Sequence, residues 1–157
     1  MDVKFVENGY CFTLRVSAII YNKDQSKVLL FNVEGRTVYL LPGGKIHRLE
    51  ESLDAIKREV KEELGWNNIS YDFFGISEEF VTDKGCDNHQ INIIYKCIYN
   101  DDIKEDEFKG IEGDWANYKW VPVKDISNYN LFPEFAKKVV SEPDKQFHTI
   151  DNLIKKN

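Results

Sequence analysis

The sequence predicts an α+β fold, and the placement of its apolar residues carries that reading. β-Branched and apolar runs fill the first quarter of the chain. A stretch with helical periodicity follows them, and further β-type runs and short helical pieces close the chain.

In order, CFTLRVSAIIYN at 11–22, SKVLLFNV at 26–33 and TVYLL at 37–41 read as strands of a meander. The turns between them fall at Lys23-Asp24-Gln25 and Glu34-Gly35-Arg36. Pro42-Gly43-Gly44 ends the meander, since proline lacks the ladder N–H and glycines weaken a strand. A loop to Leu49 leads into a helix over 51–64, where Leu53, Ile56, Val60 and Leu64 share one face at about 100° per residue. Gly65 is placed to end it in the left-handed conformation. Strands are expected over 69–82, 90–99 and 117–123, and the acidic stretch Asp101–Asp114 reads as a loop. Helical pieces at 124–127 and 132–141 precede a polar tail over 141–157 with an amphipathic hint from Phe147, Ile150, Leu153 and Ile154. We expect one domain over 1–157, with its core at about 10–140.

Composition narrows the function classes. With 42% hydrophobic and 31% charged residues the chain is neither disordered nor membrane-embedded. No apolar run approaches the roughly 20 residues of a spanning helix. The opening MDVKFVENGY lacks a signal-peptide core, so a cytoplasmic protein is expected. A net charge of −6 gives no electrostatic footprint for nucleic acid or an anionic membrane, so a phosphate ligand needs a metal to mediate. Cys11, Cys86 and Cys97 are odd in number and lack metal-ligand spacing, which predicts buried or idle thiols, not disulfides or zinc ligands.

The most specific signal is GKIHRLEESLDAIKREVKEELGW, which sets Gly44, Glu50, Arg58, Glu59, Glu62, Glu63 and Gly65 at fixed offsets. Such a match arises by chance on the order of once in 10⁸ windows or fewer. Glu59, Glu62 and Glu63 fall on one side of the helix, adjacent to its apolar face. As i,i+3 and i,i+4 like-charge pairs they repel, and Glu62 and Glu63 sit in the last turn, where the dipole disfavours anions. Ala55, one turn earlier, leaves room above them. Clustered carboxylates of this kind suit a hard cation, Mg²⁺ or Mn²⁺, and suit metal-assisted phosphoryl chemistry. Their mutual repulsion also raises one another's pKa, which equips one of them as a base. Arg58 reads either as a surface partner of Glu62 or as the fork that orients the glutamates, together with Glu50 at the helix entry.

On these residues the chain resembles the Nudix hydrolases. Weaker similarities at Arg15–Ile20, Tyr39–Gly44 and Lys119–Val123 extend the resemblance over roughly 10–140. The resemblance implies an α/β/α sandwich around a mixed sheet and cleavage of a pyrophosphate bond in a nucleoside diphosphate linked to another moiety, with divalent metal. It makes Glu62 and Glu63 the main metal ligands, Glu59 a ligand or the base, and the Gly44 carbonyl a further ligand. It adds an acid from a later loop, for which Glu112 is the candidate and Glu107 and Asp114 are rivals. Glu51 competes with Glu50, because Ser52 stands one place later than the family pattern has it. Marks of the ADP-ribose and dinucleoside polyphosphate subfamilies are missing from EEFVTDKGC, which leaves the substrate open. For substrate contacts the candidates are Arg15 toward phosphate and Tyr39 and Phe80 toward a base, with Phe74 and Tyr95 behind them. The partner expected is a small nucleotide derivative, without nucleic acid or membrane; the sequence sets no oligomeric state and is compatible with a homodimer. The competing functions are a nucleotide-binding module without turnover, which has no need of three intact glutamates, and an isomerase, for which no extra acid/base pair is found.

Overall fold

Strand β2 (Tyr10–Tyr21) is the axis of the computed structural model, which describes residues 1–83 and 85–154. Along one side β2 pairs in parallel with β7 (Cys86–Tyr99) over its whole length. Its other side is shared by three strands in succession: β1 (Lys4–Glu7), then β5 (Gly43–Lys45), then the start of β3 (Lys27–Val33). The strand β3 leaves β2 after the pair Ile20–Leu29, and β5 fills the gap so opened, at Arg15 to Ser17. This split positions the site.

The remaining strands are β4 (Tyr39–Leu40), β6 (Ile69–Asp83), β8 (Glu107–Lys109), β9 (Ala116–Pro122) and β10 (Phe147–Asn152). Among the described residues the long path through the sheet runs β10-β6-β7-β2-β3-β9-β8 and mixes parallel with antiparallel pairs. Alternation along β2 sends Val16, Ala18 and Ile20 to one face and Ile19 and Tyr21 to the other, all fully buried. The first face packs against helix α1 (Ser52–Leu64) through Ile56 and Val60, and burial of each such side chain contributes about 1.5–3 kcal/mol. The second packs against α2 (Phe135–Ser141) and the 3₁₀ turn Val123–Asn128 through Ile126, Ala136 and Val140. Helices therefore cover both faces of a mixed sheet.

Several elements differ from the sequence reading. The opening decapeptide forms a hairpin, with Asn8 (φ 49°) and Gly9 (φ 82°) in the left-handed turn that joins β1 to β2. The stretch Asp101–Asp114 is not all loop: β8 adds to the edge of β9 and carries half-buried Phe108, which stacks on Tyr118. The tail is a strand, not an amphipathic helix. Its burial alternates with period two as β10 lies parallel to β6, and Gly75 allows the approach, since a Cβ there would run into the Phe147 carbonyl. Residues 155–157 of the tail lie outside the described residues. The cysteine expectation is corrected as well: Cys11 and Cys86 are bonded as a disulfide, and only Cys97 is a buried thiol. Spacing of 75 residues hid the pair, and the β2–β7 register, with Tyr10 beside Asp87, creates it. No helix among the described residues is long and apolar enough to cross a membrane.

Candidate active site

The segment Gly43–Lys45 is held against β2 on one side and receives α1 on the other. Gly43 has φ 138°, a conformation that favours glycine, and a Cβ on it would collide with the Val16 carbonyl. A Cβ on Gly44 would collide with the Glu59 carboxylate. Two glycines thus let an acidic helix lie directly against strand backbone. Helix α1 ends as expected at Gly65 (φ 70°), whose N–H donates to the Lys61 carbonyl.

Arg58 ties the helix entry together. Its Nε donates to Glu50 Oε1 at 2.8 Å and Nη2 to Glu50 Oε2 at 3.0 Å, while Nη2 also reaches the Lys45 carbonyl at 3.1 Å. Glu50 Oε2 further accepts the His47 N–H at 2.8 Å. The Arg58 hydrogen bonds are the largest cause that holds the Glu50 carboxyl down at about 2. Glu51 stands at the helix N-cap, exposed and with no side-chain capping bond. Of the two rivals, Glu50 is the one joined to Arg58. The other fork nitrogen, Nη1, donates to Glu59 Oε1 at 2.7 Å and Glu62 Oε2 at 3.1 Å.

The helix exit is different in kind. Glu63 is 5% exposed, its Oε2 accepts the Gly43 N–H at 3.2 Å, and burial first, then the charge of Glu59, push its carboxyl up to about 8. Burial also raises Glu59, against the pull of Arg58. Glu62 is the most exposed of the three, at 48%. Glu112 is exposed on the turn after β8, yet its charge reaches both Glu59 and Glu63, and the neighbouring Ile111 N–H donates to the Glu63 carbonyl at 3.0 Å. Of its rivals, Glu107 is engaged elsewhere, paired with Lys119 at 2.7 Å, whereas Asp114 is held only through its backbone carbonyl, which accepts from Lys109. Among the described residues no three acidic, histidine or cysteine side chains form a ready metal cage, because Glu59 and Glu62 are both turned toward Arg58.

A cavity of about 500 Å³ opens where β3 leaves β2. Arg15 and Ser17 floor it, with Glu79, Gln90 and Asn92 beside them, and Phe31, Leu40 and Phe132 among its walls. Of the three expected substrate contacts the structure brings only Arg15 there. Tyr39 packs edge-on against Tyr129 and faces another depression, beside Asn32 and Lys119. Phe80 lies on the opposite sheet face, stacked on His89 at 4.3 Å. The cause is a bulge in β6: the register shifts between Phe73 and Gly75, which turns Glu79 and Val81 toward the cavity and Phe80 away. Phe74 and Tyr95 are core residues, 3% and 7% exposed, and the Tyr95 hydroxyl meets Ser52 Oγ at 2.9 Å. Sequence reasoning missed Glu79 and Asn92; the signal was a run of amide side chains, Asn88, Gln90 and Asn92, at alternate positions of one strand.

The fold and this acidic site define a phosphoric-anhydride hydrolase. A model of the NUDIX domain matches residues 12–142, and the chain belongs to that family, whose members hydrolyse pyrophosphate bonds of nucleoside diphosphate derivatives. The protein is a pyrophosphohydrolase of that class. Among solved structures it is similar to a MutT protein from Bacillus halodurans (TM-score 0.68, 18% identity, 90% of this chain and 91% of the other covered). It is likewise similar to the MutT protein from Methanosarcina mazei Go1 (TM-score 0.61, 25% identity, 85% and 93% covered). A third is the dihydroneopterin triphosphate pyrophosphohydrolase of E. coli (TM-score 0.64, 13% identity, 82% and 92% covered). No curated protein matches the sequence.

Proposed function

We infer that the chain is a metal-dependent hydrolase of a nucleotide or nucleotide conjugate, with Glu59, Glu62, Glu63, Glu112 and the Gly44 carbonyl as its Mg²⁺ or Mn²⁺ ligands. The observation that carries this reading is the buried Glu63, set beside Glu59 against two glycines where no Cβ fits. The donor set is all oxygen, which fits a hard cation, and burial raises the carboxyls of Glu59 and Glu63, a cost that a bound cation would offset. Such a cation neutralises phosphate oxygens and organises in-line attack.

The chain's own residues supply the rest. Arg58, fixed by its bidentate pair with Glu50, keeps Glu59 Oε1 and Glu62 Oε2 in place until a stronger positive charge competes for them. Glu59, with its carboxyl raised, accepts a proton from the attacking water at Oε2, the oxygen Arg58 does not hold. The cavity on the far side of β5 takes the nucleoside, and Arg15 lies where β2 meets β5. Some similar structures carry the names MutT and dihydroneopterin triphosphate pyrophosphohydrolase, which supports a nucleotide-like substrate. The test is a screen of nucleoside triphosphates and diphosphate conjugates with Mg²⁺, Mn²⁺ or chelator, scored by released phosphate products. Turnover that persists in chelator would overturn the metal role, and failure to cleave any such compound would overturn the substrate class.

A further inference from the structure

The floor of the cavity carries chemistry that phosphate hydrolysis does not use. Glu79 is 1% exposed, and its hydrogen-bond partners among the described residues are neutral: Ser77 Oγ and Gln90 Nε2 donate to it at 2.5 Å each, and Asn92 Nδ2 at 3.5 Å. Burying a carboxyl group without a cation is costly unless hydrogen bonds fill its lone pairs, and Glu79 Oε2 has one partner only. Beside it Asn92, 3% exposed, turns its NH₂ to Glu79 because a carboxylate only accepts, so its Oδ1 is left buried with no partner. Two acceptors therefore look for two donors. A different pattern flanks them: Thr13 donates to Asn88 Oδ1 at 3.1 Å, which leaves the Asn88 NH₂ as a donor, and the Arg15 guanidinium adds more.

We propose that this floor selects a ring bearing the 2-amino-4-oxopyrimidine edge, the edge of guanine, with Glu79 accepting its exocyclic NH₂ and Asn92 Oδ1 the adjacent ring N–H. The proposal rests on the nucleotide reading of the same site. Among the common bases adenine and cytosine offer one amino donor beside a ring acceptor, and uracil a single N–H between two carbonyls. Guanine alone has two adjacent donors next to a carbonyl, which Asn88 or Arg15 is placed to meet. Phe31 and Phe132 supply apolar walls for its faces. A 2-amino-4-oxopteridine carries the same edge.

The experiment is calorimetric titration of the wild-type protein, in chelator, with guanosine, inosine and adenosine monophosphates and with a 2-amino-4-oxopteridine. Inosine monophosphate lacks only the 2-amino group, so the guanosine compound should bind at least about tenfold tighter, the worth of a hydrogen bond to a charged group. Glu79→Gln should shrink that gap, and Asn92→Leu should weaken binding of both compounds and leave the gap. Tighter binding of the pteridine than of guanosine monophosphate would assign the edge to a pteridine substrate. Equal affinity of wild type for the guanosine and inosine compounds overturns the proposal without needing any variant to fold, as does a gap that survives in Glu79→Gln. Because no metal and no turnover are involved, loss of this discrimination and loss of hydrolysis are read separately.

Discussion

The two ends of helix α1 carry the same residue types under opposite conditions. At the entry Glu50 meets Arg58 in a bidentate pair and its carboxyl is held at about 2. At the exit Glu63 is buried beside Glu59 with no cation of its own, and its carboxyl is pushed up to about 8. One end is a finished ion pair that fixes geometry. The other is an unfinished one, and the charge it lacks is the charge that the proposed cation would bring. On the proposed function, a single helix separates the task of positioning from the task of binding.

The largest effect expected from breaking the exit is chemical. Glu63→Gln should lower kcat by at least about a hundredfold with Mg²⁺, because it removes a charged ligand from transition-state stabilisation worth several kcal/mol. Steady-state kinetics on the best substrate of the screen measures this, and near-normal turnover would exclude Glu63 from the chemistry.

Breaking the entry should act on stability. Glu50→Gln leaves Arg58 half-paired in a mostly buried setting and should cost about 1–3 kcal/mol at neutral pH. The folded carboxyl is depressed from 4.5 to about 2, so the wild-type advantage is present above pH 4.5 and lost as pH falls toward 2. Urea midpoints of both proteins across that range test the sign; an advantage that grows on acidification would be incompatible with the pair.

The third test sharpens the contrast. In chelator, Glu63 binds more protons folded than unfolded between pH 4.5 and about 8, so wild-type stability should decline as pH rises through that window. Glu63→Gln should flatten the decline and stabilise the apo protein at pH 8 by about 1 kcal/mol, while millimolar Mg²⁺ should raise the melting temperature of wild type more than that of the variant. The helix dipole opposes Glu62 and Glu63 alike, but Glu62 pairs with Arg58 at 3.1 Å while Glu63 is buried, which leaves the frustration on Glu63. A variant less stable than wild type in chelator would show that the Gly43 N–H bond outweighs the burial of charge.

The smallest effect belongs to Glu112. Its substitution by Gln should weaken apparent metal affinity modestly and change kcat less than Glu63→Gln does, since the residue is exposed and acts on Glu59 and Glu63 from a distance. Metal titration of activity reads it. A change confined to KM for substrate would make Glu112 a substrate contact instead.

The sequence by itself determined whatever depends on local periodicity. The central strands, the span of α1, its stop at Gly65 and the spacing that brings Glu50, Arg58, Glu59, Glu62 and Glu63 around one helix all follow from rules of period and propensity. Asn8-Gly9 was an equally local hairpin signal, legible though unread. Only the tertiary structure decided what depends on register and on which edges are free. The bulge at Phe73–Gly75 shifts β6 by one residue, and because strand side chains alternate, that one step sends Glu79 into the cavity and Phe80 to the far face. The tail became a strand because β6 offered it an edge beside Gly75, and Cys11 found Cys86 because β2 and β7 run parallel. The raised pKa of Glu59 and Glu63 was decided the same way. Helical spacing makes the acids neighbours, but the burial that raises these two is set by the strand packed against them.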